Sequence, residues 1–67
     1  MIDGLKETLD FWEADGRVYY VVIEKWKRIP VFEGLICDAY SFDLPGYKVA
    51  DEVLVGDGIL RITLIED

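Results

Sequence analysis

Four stretches of the chain show the apolar patterns of β-strands. The clearest is the run from Val18 to Ile23, whose β-branched and aromatic residues are typical of a strand covered on both faces. Near the end of the chain, Leu60, Ile62 and Leu64 alternate with polar residues, which is the pattern of a half-buried strand. These patterns predict strands over residues 17–28, 31–42, 49–55 and 59–65.

Residues 3–14 fit two kinds of element. Apolar residues recur there with the three- and four-residue spacing of one helix face, at Ile2, Leu5, Leu9 and Trp12. Asp3 is suited to cap such a helix, and Gly16 to end it. The same stretch also fits a strand that ends in an Asp15-Gly16 hairpin turn. We favour the helix and keep the strand as the alternative.

Glycine and proline mark the turns between the strands. Pro45-Gly46 predicts a type II turn, and the segment 56–58 predicts a tight hairpin loop. Gly34, inside the second predicted strand, indicates a bulge or a close backbone approach. The stretch around Gly34, from Val31 to Tyr40, resembles the bent strand of SH3-like and Sm-like barrels.

Residues 1–67 are therefore expected to form one compact domain of the α+β class, mainly β. We predict a small antiparallel curled sheet or an SH3-like barrel of four to five strands, with residues 3–14 as a short N-terminal helix. The alternative makes residues 3–14 the first strand of an all-β barrel.

The residues from which catalytic and metal sites are usually built are nearly absent. The 67 residues include no histidine, one cysteine and one serine, so no nucleophile has an imidazole base. Cys37 follows Ile36 on a predicted strand and is expected to be a small buried hydrophobe. Asp51 and Glu52 are neighbours on a strand and should point to opposite faces. We therefore predict no catalytic residue, no cofactor and no metal ion, and expect that the protein is not an enzyme.

The charge indicates what kind of partner the protein could bind. A net charge of −7 repels nucleic acid and anionic lipid, so neither is expected as a direct partner. Acidic residues concentrate in residues 1–16 and 38–57, each with a net charge of −4, while the segment 25–28 is basic. The first residues lack the pattern of a signal peptide, and the chain is expected to be cytoplasmic. The expected partner is a basic protein surface.

Aromatic residues add candidate anchors for such a contact, because Trp and Tyr dominate protein interfaces. Trp26, between two lysines, is the first candidate. The predicted partner-binding residues are Trp26, Tyr20, Tyr47, Asp38, Asp43, Asp51, Glu52 and Asp57.

Our hypothesis is a small acidic protein-binding module whose carboxylates and rings share one surface. One form of it is a DNA mimic, an inhibitor that occupies the basic groove of a nucleic-acid-binding protein, like the small acidic anti-defence proteins of mobile elements. The alternative is a structural subunit that self-associates, for instance as a homodimer, through apolar surface or strand edges.

Overall fold

The computed structural model describes residues 2–67 and contains two helices and four strands in this part of the chain. The α+β, mainly β class predicted from the sequence is confirmed. In chain order the elements are α1 (Leu5–Asp15), β1 (Tyr20–Lys25), β2 (Ile29–Leu35), α2 (Ile36–Ala39), β3 (Tyr47–Gly56) and β4 (Ile59–Glu66).

The four strands form one mixed sheet in the order β2-β1-β4-β3. The hairpins β1–β2 and β3–β4 are antiparallel, but the central strands β1 and β4 run parallel. The expectation of a purely antiparallel sheet is therefore wrong at its centre. The sheet also does not close into a barrel, because β2 and β3 remain its two edges.

Helix α1 confirms the helical interpretation of the first segment. Leu5, Thr8 and Leu9 are its buried residues, and Gly16 ends it in the left-handed conformation, with φ of 80°. Asp3 does not cap the helix. Instead its backbone pairs with the outer edge of β3, where its N–H donates to the Tyr47 carbonyl at 3.1 Å and its carbonyl accepts from Val49 at 3.0 Å.

The second predicted strand is too long. It ends at Leu35, and residues 36–39 form the short helix α2. Ile36 and Ala39, three residues apart, are its buried positions, so a helical turn rather than a strand brings both side chains to the core. Cys37 consequently faces away from the core and is exposed, which corrects its expected burial.

Gly34 does not form the expected bulge. It pairs regularly with Val21, and the nearby irregularity lies instead between Ile23 and Glu24, where the register skips Val31 on β2. The close-approach interpretation fits Gly34 better, since a side chain there would meet the ring of Phe32 at 3.2 Å. This ring packs in turn against Phe42, with 5.5 Å between ring centroids.

One face of the sheet carries the core, and both helices lie on that face. Val21 and Ile23 of β1 and the predicted row of β4 are buried there, together with residues of α1 and α2. We call α1, α2 and the segments next to them, residues 2–16 and 36–44, the helical layer. The buried apolar residues are Ile2, Leu5, Leu9, Val18, Val21, Ile23, Ile36, Ala39, Leu60, Ile62 and Leu64.

No described element covers the other side of the sheet, which we call the open face. Strand alternation and register place thirteen side chains on it, and all of them are exposed or half-buried. They are Tyr20, Val22, Glu24, Pro30, Glu33, Leu35, Lys48, Asp51, Val53, Ile59, Arg61, Thr63 and Ile65.

Neither helix in residues 2–67 has the length and the apolar character that crossing a lipid bilayer would require.

Two positions of α1 test how the helix is held. Leu9 is fully buried, so Leu9→Ala should lower the free energy of unfolding by about 2–5 kcal/mol through lost burial and a cavity. Phe11 lies two residues on and is exposed, so Phe11→Ala should cost less than about 1 kcal/mol. Chemical denaturation measures both, and equal losses would contradict this orientation of α1.

Candidate acidic docking surface

Side-chain contacts join the two helical segments. The Tyr40 hydroxyl, just after α2, donates a hydrogen bond of 2.8 Å to Oδ1 of Asp10 on α1. The other oxygen of the same carboxylate accepts from Nζ of Lys6, also at 2.8 Å. Asp10 and Tyr40 are 30 positions apart in the sequence. At this contact the two acidic stretches lie side by side.

A groove runs along the junction of α1 with the segment after α2. Its volume is about 640 Å³. Carboxylates from both segments line it, with Asp3 and Glu7 on one side and Asp43 on the other, while Lys6 is the basic residue of the lining. Its apolar lining comes from Ile2, Leu5, Leu9, Phe42 and the ring of Tyr40.

The helical layer carries most of the excess negative charge. Residues 2–16 contain five carboxylates and one lysine, and residues 36–44 contain two carboxylates and no base. The helical layer therefore holds a net charge of −6, out of −7 for the whole chain. Charges of one sign on one side of a small protein produce a directional field that attracts cationic partners.

Phe11 is a strongly exposed aromatic residue in this acidic layer. Phe11 is 64% exposed on α1, and its ring packs edge-on against the Trp12 ring, with 5.4 Å between the ring centroids. Glu7 and Asp15 lie four residues before and after it, which places all three on one helix stripe. An exposed ring between two carboxylates can bury apolar area while the acids contact a basic partner.

The Tyr40–Asp10 contact shifts the pKa of both groups. Partial burial, then the hydrogen bond to the Asp10 carboxylate, raises the pKa of the Tyr40 hydroxyl to about 12. The hydrogen bonds from Lys6 and then from Tyr40 lower the pKa of Asp10 below its ordinary value. The contact therefore favours the ionised form of Asp10 and the protonated form of Tyr40.

The acidic residues predicted from the sequence do not all meet on one surface. Asp38 lies exposed on α2, and Asp43 lines the groove, so both belong to the helical layer. Asp57 lies in the β3–β4 hairpin loop, outside that layer. Asp51 is on the open face, where its carboxylate accepts from the backbone N–H of Glu52 at 2.9 Å.

Glu52 points the opposite way from Asp51, as the strand pattern predicts, and it holds α1 to β3. Its two carboxylate oxygens accept from the Thr8 hydroxyl at 3.1 Å and from the Trp12 indole N–H at 3.0 Å. Because these contacts satisfy a half-buried carboxylate, Glu52 is a structural residue rather than a free docking group.

The predicted aromatic anchors lie elsewhere. Trp26 is 66% exposed in the β1–β2 turn, and Tyr47 begins β3. Both line a second groove of about 620 Å³, together with Lys25, whose ammonium lies 5.7 Å from the centroid of the Tyr47 ring. Tyr20 is half-buried on the open face. None of the three shares the acidic groove described above.

Phe11, Tyr40, Glu7 and Asp10 belong to this surface but are not among the partner-binding residues predicted from the sequence. A signal for the first existed, because the helical pattern of residues 3–14 places Phe11 among charged positions rather than on the apolar stripe. No local pattern predicts the contact of Tyr40 with Asp10, since the two residues are 30 positions apart in the sequence. Only the packing of α2 beside α1 brings the two together.

The described residues contain no group of three or more potential metal-ligating side chains. Comparisons with protein-family models, with curated proteins and with solved structures gave no match. The helical layer, acidic and carrying an exposed ring, is the candidate site that the geometry favours.

The Tyr40–Asp10 contact predicts a distinctive titration. In an ultraviolet titration, one of the four tyrosines should ionise near pH 12, Tyr40→Phe should remove this step, and Asp10→Asn should move it to lower pH. Since the folded-state pKa lies above the ordinary value of 10.0, the stability from this contact is complete below pH 10 and is lost as pH rises toward 12. An unchanged step in Tyr40→Phe would contradict the assignment.

Proposed function

We propose that this protein is a non-enzymatic protein-binding module that docks through its helical layer onto a basic surface of a partner protein. The observation that carries the proposal is the charge of this layer, −6 out of a total of −7, on two segments that pack side by side. Electrostatic attraction of this kind mainly speeds association and selects for partners of opposite charge.

The exposed ring of Phe11 supplies the apolar part of the contact. Charged contacts at the rim of an interface add little affinity, whereas a buried aromatic anchor can dominate it. The stripe of Glu7, Phe11 and Asp15 therefore combines an anchor with flanking charges. Its basic counterpart would be lysine and arginine side chains around an apolar depression.

The partner surfaces with the strongest positive potential are those that hold nucleic acid. A protein seated on such a surface through carboxylates would compete with the phosphates that normally bind there. The proposed function therefore includes inhibition of a nucleic-acid-binding protein by occupation of its basic groove.

Charge-neutralising variants test the docking surface. In Glu7→Gln/Glu13→Gln/Asp38→Asn, three exposed carboxylates of the helical layer become amides of nearly the same size. Immobilised on beads, this variant should lose most of the basic proteins that the wild-type protein captures from lysate. Capture by the wild-type protein should also fall as the Debye length shrinks from about 8 Å to about 3 Å between physiological and about 1 M salt.

The matched control changes net charge equally outside the helical layer. Glu33→Gln/Asp51→Asn/Asp57→Asn also removes three exposed carboxylates, but from the open face and the β3–β4 loop. It should retain the captured proteins. Equal loss with both triple variants would mean that capture follows bulk charge, and the proposed docking surface would then be wrong.

A further inference from the structure

We propose that the open face is the contact surface for a second copy of this chain, so that two molecules meet sheet to sheet. This inference concerns the side of the molecule opposite the helical layer and does not depend on the proposed function.

The open face is rich in apolar side chains. Six of its thirteen residues are large and apolar or aromatic, and they come from all four strands. In the central strands these side chains are half-buried, and no described element covers them. They are Tyr20, Val22, Leu35, Val53, Ile59 and Ile65. A single core of this size yields only about 3–5 kcal/mol of net stability, so burying this face in a dimer would add appreciably to it.

The distribution of charge favours a dimer that meets through its open faces over one that meets through its helical layers. The open face carries three carboxylates and two bases, a net charge of −1, against −6 in the helical layer. Two copies that approached through their helical layers would repel each other. The open face is the broad apolar side on which this repulsion is smallest.

The charges of the open face also allow self-complementarity. Arg61 lies near its centre, on β4, and its Nε is 3.6 Å from Oε1 of Glu24 on β1. A two-fold axis requires one patch to match itself, so a patch bearing both signs suits it better than an acidic patch would. Glu33 and Asp51, on the two edge strands, are the remaining acids that Arg61 of a second copy could meet.

The size of the molecule limits the strength of this contact. The two longest dimensions of the fold are 29 and 20 Å. A flat face of these dimensions covers about 600 Å², below the roughly 800 Å² per partner of standard interfaces. We therefore expect a weak, reversible dimer, with a dissociation constant in the micromolar range or above.

Two neighbouring residues provide the test. Val53 and Leu54 are both 39% exposed on edge strand β3, but Val53 lies on the open face and Leu54 on the side of the helices. Val53→Glu should weaken dimerisation by about 100-fold or more, because a two-fold contact would bury the new charge in each copy. Leu54→Glu should leave the dimer within about threefold of wild type, since its side chain is outside the contact. Sedimentation equilibrium over a concentration series measures all three proteins.

Three outcomes would overturn the proposal. They are a wild-type protein that stays monomeric up to its solubility limit, equal effects of the two variants, which would indicate edge-to-edge strand pairing, and dimerisation weakened by added salt. Circular dichroism checks that each variant folds. If Val53→Glu does not, Leu35→Glu on the opposite edge strand provides the same test, since Leu35 is 50% exposed on the open face.

Salt separates this inference from the proposed function. Added salt screens the repulsion between two acidic molecules and should strengthen the dimer, whereas it should weaken capture of a basic partner. Either proposal can therefore fail while the other stands.

Discussion

The packing of both helical segments onto one face of the sheet is the constraint on which the rest of the structure depends. Leu9 of α1 and Ile36 of α2 join the buried rows of β1 and β4 in a single apolar layer. All the fully buried large side chains among the described residues belong to α1, β1 and β4. Because both helices lie on one side of the sheet, the molecule has two different surfaces. One is the acidic helical layer, and the other is the open face, which carries apolar side chains and charges of both signs.

This one-sided packing also explains where the charge lies. The solvent side of an amphipathic helix must be polar, and in α1 the polar residues are mostly acidic. Because α2 and residues 40–43 pack beside α1, where Tyr40 donates a hydrogen bond to Asp10, their acids add to the same surface. The strands of the open face contribute acids and bases more evenly. Separation of charge thus follows from the arrangement of elements rather than from the total charge of −7.

The sequence predicted those parts of the fold that depend on local patterns. Short-range periodicity predicts the four strands, the buried row of β4 and the helical stripe of α1. The positions of glycine and proline predict the turns. Residues 36–42 do not continue the second strand as predicted, because the four residues of α2 are too few for periodicity to distinguish a helical turn from a strand. The parallel pairing of β1 with β4 joins residues about 39 positions apart and leaves no local trace.

The candidate site was less predictable than the fold, for the same reason. Whether carboxylates and rings share a surface depends on long-range packing. The partner-binding residues predicted from chemical type alone lie on several sides of the molecule. Trp26 and Tyr47 line a different groove, and Glu52 is satisfied inside the fold. Phe11, which belongs to the acidic surface, could be placed only by giving priority to the helical pattern over the ambiguous strand pattern.

The two proposed surfaces have a joint consequence if both exist. Since they lie on opposite sides of the sheet, a dimer joined through the open faces would carry its two acidic helical layers outward, in opposite directions. One dimer could then contact two basic partners, but it could contact two sites on one partner only if that partner wrapped around it. Dimerisation would therefore favour cross-linking of partner molecules over tighter binding of a single one, and the local concentration of the protein would select between the two modes.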